Sequence, residues 1–298
     1  MVRALSKPTQ PTPSVLADLR RRYHEALQTV VWGWDKGEAS NADKPSKLSG
    51  RIAREMLAGA REPTNNPVRN QTAGKVFTEE TKRFVEQAFN LLGHMRPGNW
   101  RYSTAQGLSG ITIFDQYQHL ATIKRLLDEH RDDKGFRAAF AVDYLVLPDI
   151  VIGREPLQDE EINRNQHFLD KGEDIARGTP LRAGNDGSAI MLHASISCKW
   201  TIRSDRAQNT RTEALNLIRN RKGNSPHIVA VTAEPLPTRL ASLALGAGDL
   251  DCVYHMALYE LGDALNRVAD ESQLDMFDTL VQGRRLRDIS DLPLDLSI

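Results

Sequence analysis

From about residue 140 onward, short runs rich in Val, Leu and Ile alternate with stretches of helical periodicity, and this alternation constrains the fold more than any other feature. Residues 141–153, 189–202, 227–233 and 252–255 read as strands, while 205–222, 235–245 and 256–268 read as helices. Strands separated by helices imply an α/β core, a mixed central β-sheet flanked by helices. The chain ahead of it is helical in pattern. After Ser14, residues Leu16, Leu19, Tyr23, Leu27 and Val30 recur at helical spacing, and 51–60 and 117–129 read as further helices. Thr78 is expected to cap a helix carrying Phe84, Ala88, Leu91 and Leu92, after a polar loop over 65–78. Residues 38–47 read as another loop, and 160–186 as a long polar functional insertion. The resulting expectation is a single domain over 1–298, helical to about residue 135, with the α/β core from about 136.

Composition removes several classes. The 298 residues are 40% apolar, enough for a substantial core. Two cysteines, Cys198 and Cys252, cannot staple a fold, so free thiols in a reducing cytoplasm are expected. The first 14 residues lack the apolar stretch of a signal peptide. The most apolar region, 138–153, is interrupted by Asp143, Pro148 and Asp149 and is too short to span a bilayer. Gly74-Lys75 is no P-loop, because Arg69 stands where its first glycine is needed; use of ATP is not expected. His193, His227 and His255 share no ligand spacing and read as packed histidines rather than zinc ligands. Net charge is zero, yet residues 199–222 carry seven basic groups against two acidic ones. Such a stripe fits phosphate contacts on one face, and fits a solvated helix face as well.

The chemistry concentrates in ISCKWTIRSDRAQN, residues 196–209, and the helix after it. On an extended segment Lys199 shares a face with Ser197, opposite Ile196, Cys198 and Trp200. A lysine there is costly unless it faces a site. Glu213 follows 14 positions later, where a turn and about two helical turns would return its carboxylate to the lysine, and Asp149 at the Pro148-Asp149 step is a second acid. Carboxylates with a lysine suit Mg²⁺-assisted phosphodiester hydrolysis, although a Lys-to-Glu spacing of this kind also arises by chance. Arg203-Ser204-Asp205-Arg206 pairs guanine-reading arginines with a cytosine-reading aspartate at a helix start; it also reads as a Ser204 cap with local ion pairs.

Here the chain closely resembles the NgoMIV-type type II restriction endonucleases of the PD-(D/E)XK nuclease superfamily. The resemblance is carried by ISCKWTIRSDRAQN, EALNLIRNRKG, PHIVAVTAEP, DCVYHMALYEL and DISDLPLDL, is strong from about Leu181 onward, and continues more thinly in SNAD, QTAGKVF and RPGNW. It implies a PD-(D/E)XK core and Mg²⁺-dependent cleavage of double-stranded DNA at GCCGGC, leaving 5′-phosphate ends. By resemblance Asp149 is the main metal ligand, joined by Glu213 and the Cys198 carbonyl; Lys199 is the catalytic lysine, and Ser197 stands where other relatives carry a strand carboxylate. Arg203, Asp205 and Arg206 would read the inner CCGG, Arg239 the outer pair, with Gln71 as a further base contact. The family assembles as a homotetramer of two dimers. This chain departs from the pattern at Thr78, where the family places a glutamate; Glu79 is expected to replace it, with Glu80 the other choice. That departure keeps open a catalytically silent DNA-binding protein of the same fold.

Overall fold

Ile150, Ile152, Ala194, Ile196, Val229 and Val231 have almost no exposure to solvent, as near-continuous apolar runs must when a sheet is covered on both faces. The protein is described here by a computed structural model covering residues 13–60, 63–104, 110–135, 148–184, 189–202, 204–246 and 248–298, with the side chains at 123, 124, 127 and 204–207 left aside. Helices α1 (Val15–Val30), α2 (Lys47–Ala58) and α3 (Asn70–Asn90) come first and α4 (His119–Glu129) follows the first strand of the main sheet, with a small antiparallel hairpin of β1 (Trp34–Asp35) and β2 (Glu38–Ala39) between α1 and α2. Then β3 (Trp100–Thr104), β4 (Ile150–Arg154), β5 (Met191–Lys199), β6 (His227–Thr232), β7 (Cys252–His255) and β8 (Leu286–Asp288) form one six-stranded sheet in chain order. Strand β4 is antiparallel to β3 and β5, and β5 through β8 are parallel.

Parallel neighbours need crossovers. They are supplied by α6 (Ser204–Asn220), α7 (Pro237–Ala244), and the pair α8 (Leu258–Val268) and α9 (Glu271–Gln282); α5 (Asp159–Ile162) is a single turn between β4 and β5, and α10 (Leu292–Asp295) closes the chain. This is the mixed sheet flanked by helices that the alternation implied. A β-bulge interrupts β4 between Ile152 and Gly153. There a Cβ on Gly153 would lie 2.5 Å from the Ile190 side chain and 3.1 Å from Phe114, so only glycine fits without displacing them.

Several sequence expectations need correction. Thr78 caps nothing: α3 begins eight residues earlier at Asn70, and the polar loop expected over 65–78 is helical in its second half. The polar residues there hide Ala73 and Phe77, which continue the buried stripe of Thr81, Phe84, Val85 and Ala88 at helical spacing. Helix α2 starts at Lys47 rather than 51, because the Ser46 hydroxyl accepts the Ser49 N–H as its cap. In the strand expected over 141–153, residues 141–147 lie outside the described part, and β4 occupies Ile150–Arg154. Strand β3, half-buried at the sheet edge, carries no apolar run for sequence reading to find.

One ionic cluster ties the helical part to the far edge of the sheet. Arg20 of α1 donates to both oxygens of Asp288 at 2.8 Å, and to Glu260 of α8 at 2.8 and 2.6 Å. Asp288 is fully buried and also accepts the Leu258 N–H and the Ser290 hydroxyl. Both cysteines are free, and none of the described helices is long and apolar enough to cross a membrane. Replacing Arg20 strands a buried carboxylate, so Arg20→Ala is expected to destabilise the fold by about 3–5 kcal/mol in denaturant titration. Arg22→Ala removes a guanidinium that is 67% exposed and reaches Asp18, and should change stability by no more than about 0.5 kcal/mol.

Candidate active site

Proline cannot donate to a sheet ladder, and β4 begins only two residues after Pro148, at Ile150. The antiparallel register pairs Ile150 with Ile196, which sets Asp149 beside the last turn of pairing on β5. Three donors converge on its Oδ2: the Cys198 N–H at 2.8 Å, the Lys199 ammonium at 3.0 Å and the Ser197 hydroxyl at 3.4 Å. The pair is partly shielded, with the Lys199 side chain 19% and the Asp149 side chain 34% exposed. A residue in a strand presents its N–H and C=O to the same edge, so the Cys198 carbonyl faces the side on which Asp149 stands. Burial pushes the Cys198 thiol well above the ordinary range, assisted by the Asp149 charge, which leaves the sulfur as a neutral packing group.

Glu213 joins this group from α6. Thr210, Ala214 and Leu217 form the buried stripe of that helix, and Glu213 sits beside it, half-buried and open to the same cleft as Cys198 and Lys199. Burial raises its carboxyl above the usual glutamate value; the Asp149 charge adds to the rise and Lys199 opposes it. The 14-residue spacing from Lys199 therefore does fold back upon the lysine. Among the described residues no cluster of three or more His, Cys, Asp or Glu side chains has metal-binding geometry. Two carboxylates and a main-chain carbonyl suit a hard ion that keeps several waters, as Mg²⁺ does, and do not suit the closed nitrogen and sulfur shell of zinc.

The cleft, about 480 Å³, continues from Lys199 and Glu213 to Arg239 and the 40–45 and 67–74 segments. Arg239, on α7, pairs with Asp43 and donates to the Ile202 carbonyl at 3.4 Å. Asn41 donates to the Ala233 carbonyl at 3.0 Å and the Trp200 indole to the Ser40 carbonyl at 3.3 Å, so the SNAD loop is fastened to the sheet end beside the site. Gln71 lies exposed in the first turn of α3. Arg203 is outside the described residues; Asp205 and Arg206 occupy the first turn of α6, their side chains outside the description. Glu79 is not drawn to Lys199: it accepts from Thr104 at 3.1 Å and pairs with Lys82 at 3.3 Å. Thr104 is nevertheless paired with Ile150, the neighbour of Asp149. Glu80 pairs with Arg83, while the Thr78 hydroxyl contacts the Cys198 thiol.

Sequence reasoning passed over Asp43 and Glu234. The argument that singled out Lys199, a charged group at the end of an apolar strand, applies equally to Glu234 two residues beyond β6. The histidines are packed as expected: His193 Nε2 lies 2.9 Å from the Leu296 carbonyl, and burial pushes His193 down to about 4.

The family model for the NgoMIV restriction enzyme matches residues 23–298. The type II restriction enzyme NgoMIV of Neisseria gonorrhoeae is 46% identical over 286 residues, 94% of this chain and 97% of that protein. Among solved structures, restriction endonuclease PspGI bound to substrate DNA is 15% identical with a TM-score of 0.30, covering 98% of this chain and 94% of that one. A pre-specific BsaWI–DNA complex is 10% identical with a TM-score of 0.29, covering 72% of this chain and 65% of that one.

Because burial holds the Glu213 proton to higher pH than an ordinary glutamate keeps it, a divalent cation must displace that proton to use the carboxylate. Calorimetry with Mn²⁺ should therefore show affinity rising with pH through the range above the usual carboxylate value, with proton release. Glu213→Gln should weaken binding and remove that dependence. A pH-independent wild-type affinity would remove Glu213 from the ligand set.

Proposed function

The chain belongs to the NgoMIV restriction enzyme family, and from that premise we propose that it is a type II restriction endonuclease cutting double-stranded DNA with Mg²⁺ at GCCGGC and leaving 5′-phosphate ends. The observation that carries the proposal is the convergence of Cys198, Lys199 and Ser197 on one oxygen of Asp149, with Glu213 facing the same cleft. Asp149 and Glu213, helped by the Cys198 carbonyl, are the residues that would hold the ion. Bound there, Mg²⁺ supplies polarisation of the scissile phosphate and a lowered pKa for an attacking water. Lys199 stands 3.0 Å from the Asp149 carboxylate, within reach of a water or phosphate oxygen held beside it, and stabilises the charge that develops on that oxygen. Glu79, anchored by Thr104 one strand away from Asp149, is proposed as the peripheral acid of the site.

Arg203, Asp205 and Arg206 are proposed to read the inner CCGG by the guanine and cytosine pairings of the major groove. Arg239 reads the outer pair, once DNA phosphates and bases compete with Asp43 for its guanidinium, and Gln71 adds a weaker base contact. A palindrome calls for a twofold protein, in keeping with a homotetramer of two dimers in which each chain acts as one catalytic unit in the cytoplasm.

A plasmid carrying two GCCGGC sites should give discrete fragments with Mg²⁺ and none with EDTA. Lys199→Ala should slow cutting by about a hundredfold or more while specific binding persists. Specific binding by the wild type without cutting would favour the silent binder. Arg239→Ala should lose about 1–3 kcal/mol of discrimination at the outer pair and leave the inner four bases required. Should Glu79→Ala and Glu80→Ala both cleave at the wild-type rate, neither acid of α3 takes part.

A further inference from the structure

Glu234 has no exposure to solvent and takes no part in the chemistry proposed above. Its two oxygens are divided between two segments. Oε2 accepts the Ile202 N–H at 2.8 Å, and Oε1 accepts the Leu236 N–H at 3.2 Å. Ile202 is the residue before Arg203, and Leu236 is the N-cap of α7, the helix that carries Arg239. The Arg239 guanidinium closes the arrangement from the solvent side, 3.9 Å from Oε2. The backbone of Glu234 is pinned as well: its N–H donates to the Thr232 hydroxyl at 3.2 Å, and its carbonyl lies 3.2 Å from His255 Nε2. The parallel register of β5 and β6, with Lys199 opposite Thr232, brings Ile202 and Glu234 out of the sheet side by side.

We propose that Glu234 is a positioning residue for base recognition, fastening the turn that leads into the inner-pair readers to the helix that carries the outer-pair reader. The proposal rests on the endonuclease reading of the site. A buried carboxylate is expensive unless fixed donors and a cation surround it, and here two main-chain N–H groups and Arg239 do so. An ionised carboxylate accepts strongly at both oxygens; protonation turns one of them into a weakly accepting hydroxyl that loosens its N–H partner, and an amide presents an NH2 that cannot accept to one of the two N–H groups. The charged and titratable groups facing it are Arg239 on α7, Asp43 on the SNAD loop, and His255 on β7, whose ring burial holds neutral with its pKa at about 4. Burial raises the Glu234 carboxyl to about 7, so near neutrality it exchanges between the form that clamps both segments and the form that releases one. The sign is fixed by the ionised form being the clamp: recognition of the outer pair weakens as pH falls through about 7.

The test uses the full chain and two duplexes, GCCGGC and the same site with its outer pair replaced, compared by cleavage rate with Mg²⁺ and by affinity with Ca²⁺. Titration of metal ligands affects both duplexes alike and cancels in their ratio. Wild-type preference for GCCGGC should rise severalfold between about pH 6 and about pH 8. Glu234→Gln should lower the preference about tenfold, with the pH dependence gone and cutting of the inner CCGG retained. Site-specific cutting whose outer-pair preference is flat with pH in the wild type overturns this proposal alone, and that measurement stands even if the variant does not fold. A folded Glu234→Gln with wild-type preference overturns it too. No cutting and no preferential binding of either duplex overturns the endonuclease reading, and this proposal with it.

Discussion

Asp149 stands where it does only because β4 and β5 meet in one register. With Ile150 opposite Ile196, the carboxylate stands against the Cys198 N–H and within 3.0 Å of the Lys199 ammonium. A slip of one residue would turn each side chain of β4 to the other face and carry Asp149 away from its three donors. The register is held by apolar contacts far from any chemistry. Ile150, Ile152, Ala194 and Ile196 are buried completely, and the bulge at Gly153 admits Ile190 and Phe114 where a Cβ would block them. The site therefore inherits its precision from the core, and Pro148 ends the ladder where the carboxylate must come free.

The parallel half of the sheet supplies the rest. Strands β5 and β6 run side by side, so the two loops beyond them emerge at the same end. One leads into α6 with Glu213, the other into α7 with Arg239. Ligands of open α/β sheets bind at such carboxyl ends. Here the antiparallel β4 adds a third contributor, starting where β5 ends. Three segments that are distant in the chain meet because strand direction leaves them no other place to go.

Much of this was legible in the sequence. Apolar runs marked β4 through β7 because burial on both faces leaves an unmistakable pattern, and Lys199 betrayed itself as a charge at the end of such a run. Glu213 was legible as a spacing, since a turn and a helix of known rise return it to the lysine. Less legible were features whose cause lies elsewhere in the fold. The first two turns of α3 read as a loop because their helical stripe is only Ala73 and Phe77, and Phe77 packs edge-on against Trp200, 123 positions away. Strand β3 carries no apolar run, and its pairing with β4 is visible only in three dimensions. Asp43 and Glu234 escaped for the same reason, their partners being Arg239 and two main-chain N–H groups that no local pattern announces.

The cleft carries its own counter-charges. Its cations are already engaged: Arg69 and Lys44 with Asp35, Arg239 with Asp43, Lys199 with Asp149. Each pair joins a cation to a half-buried or buried carboxylate and so holds a long side chain in place in the cleft. A polyanion entering the cleft competes for each cation without having to order it first, which reduces the entropy lost on binding. The anions it displaces differ in fate. Asp35 and Asp43 sit at the border of the cleft, whereas Asp149 has two further donors in the Cys198 N–H and the Ser197 hydroxyl and stays where it is. A protein with no net charge can thus engage DNA closely, provided its acidic partners are arranged either to yield or to keep donors of their own.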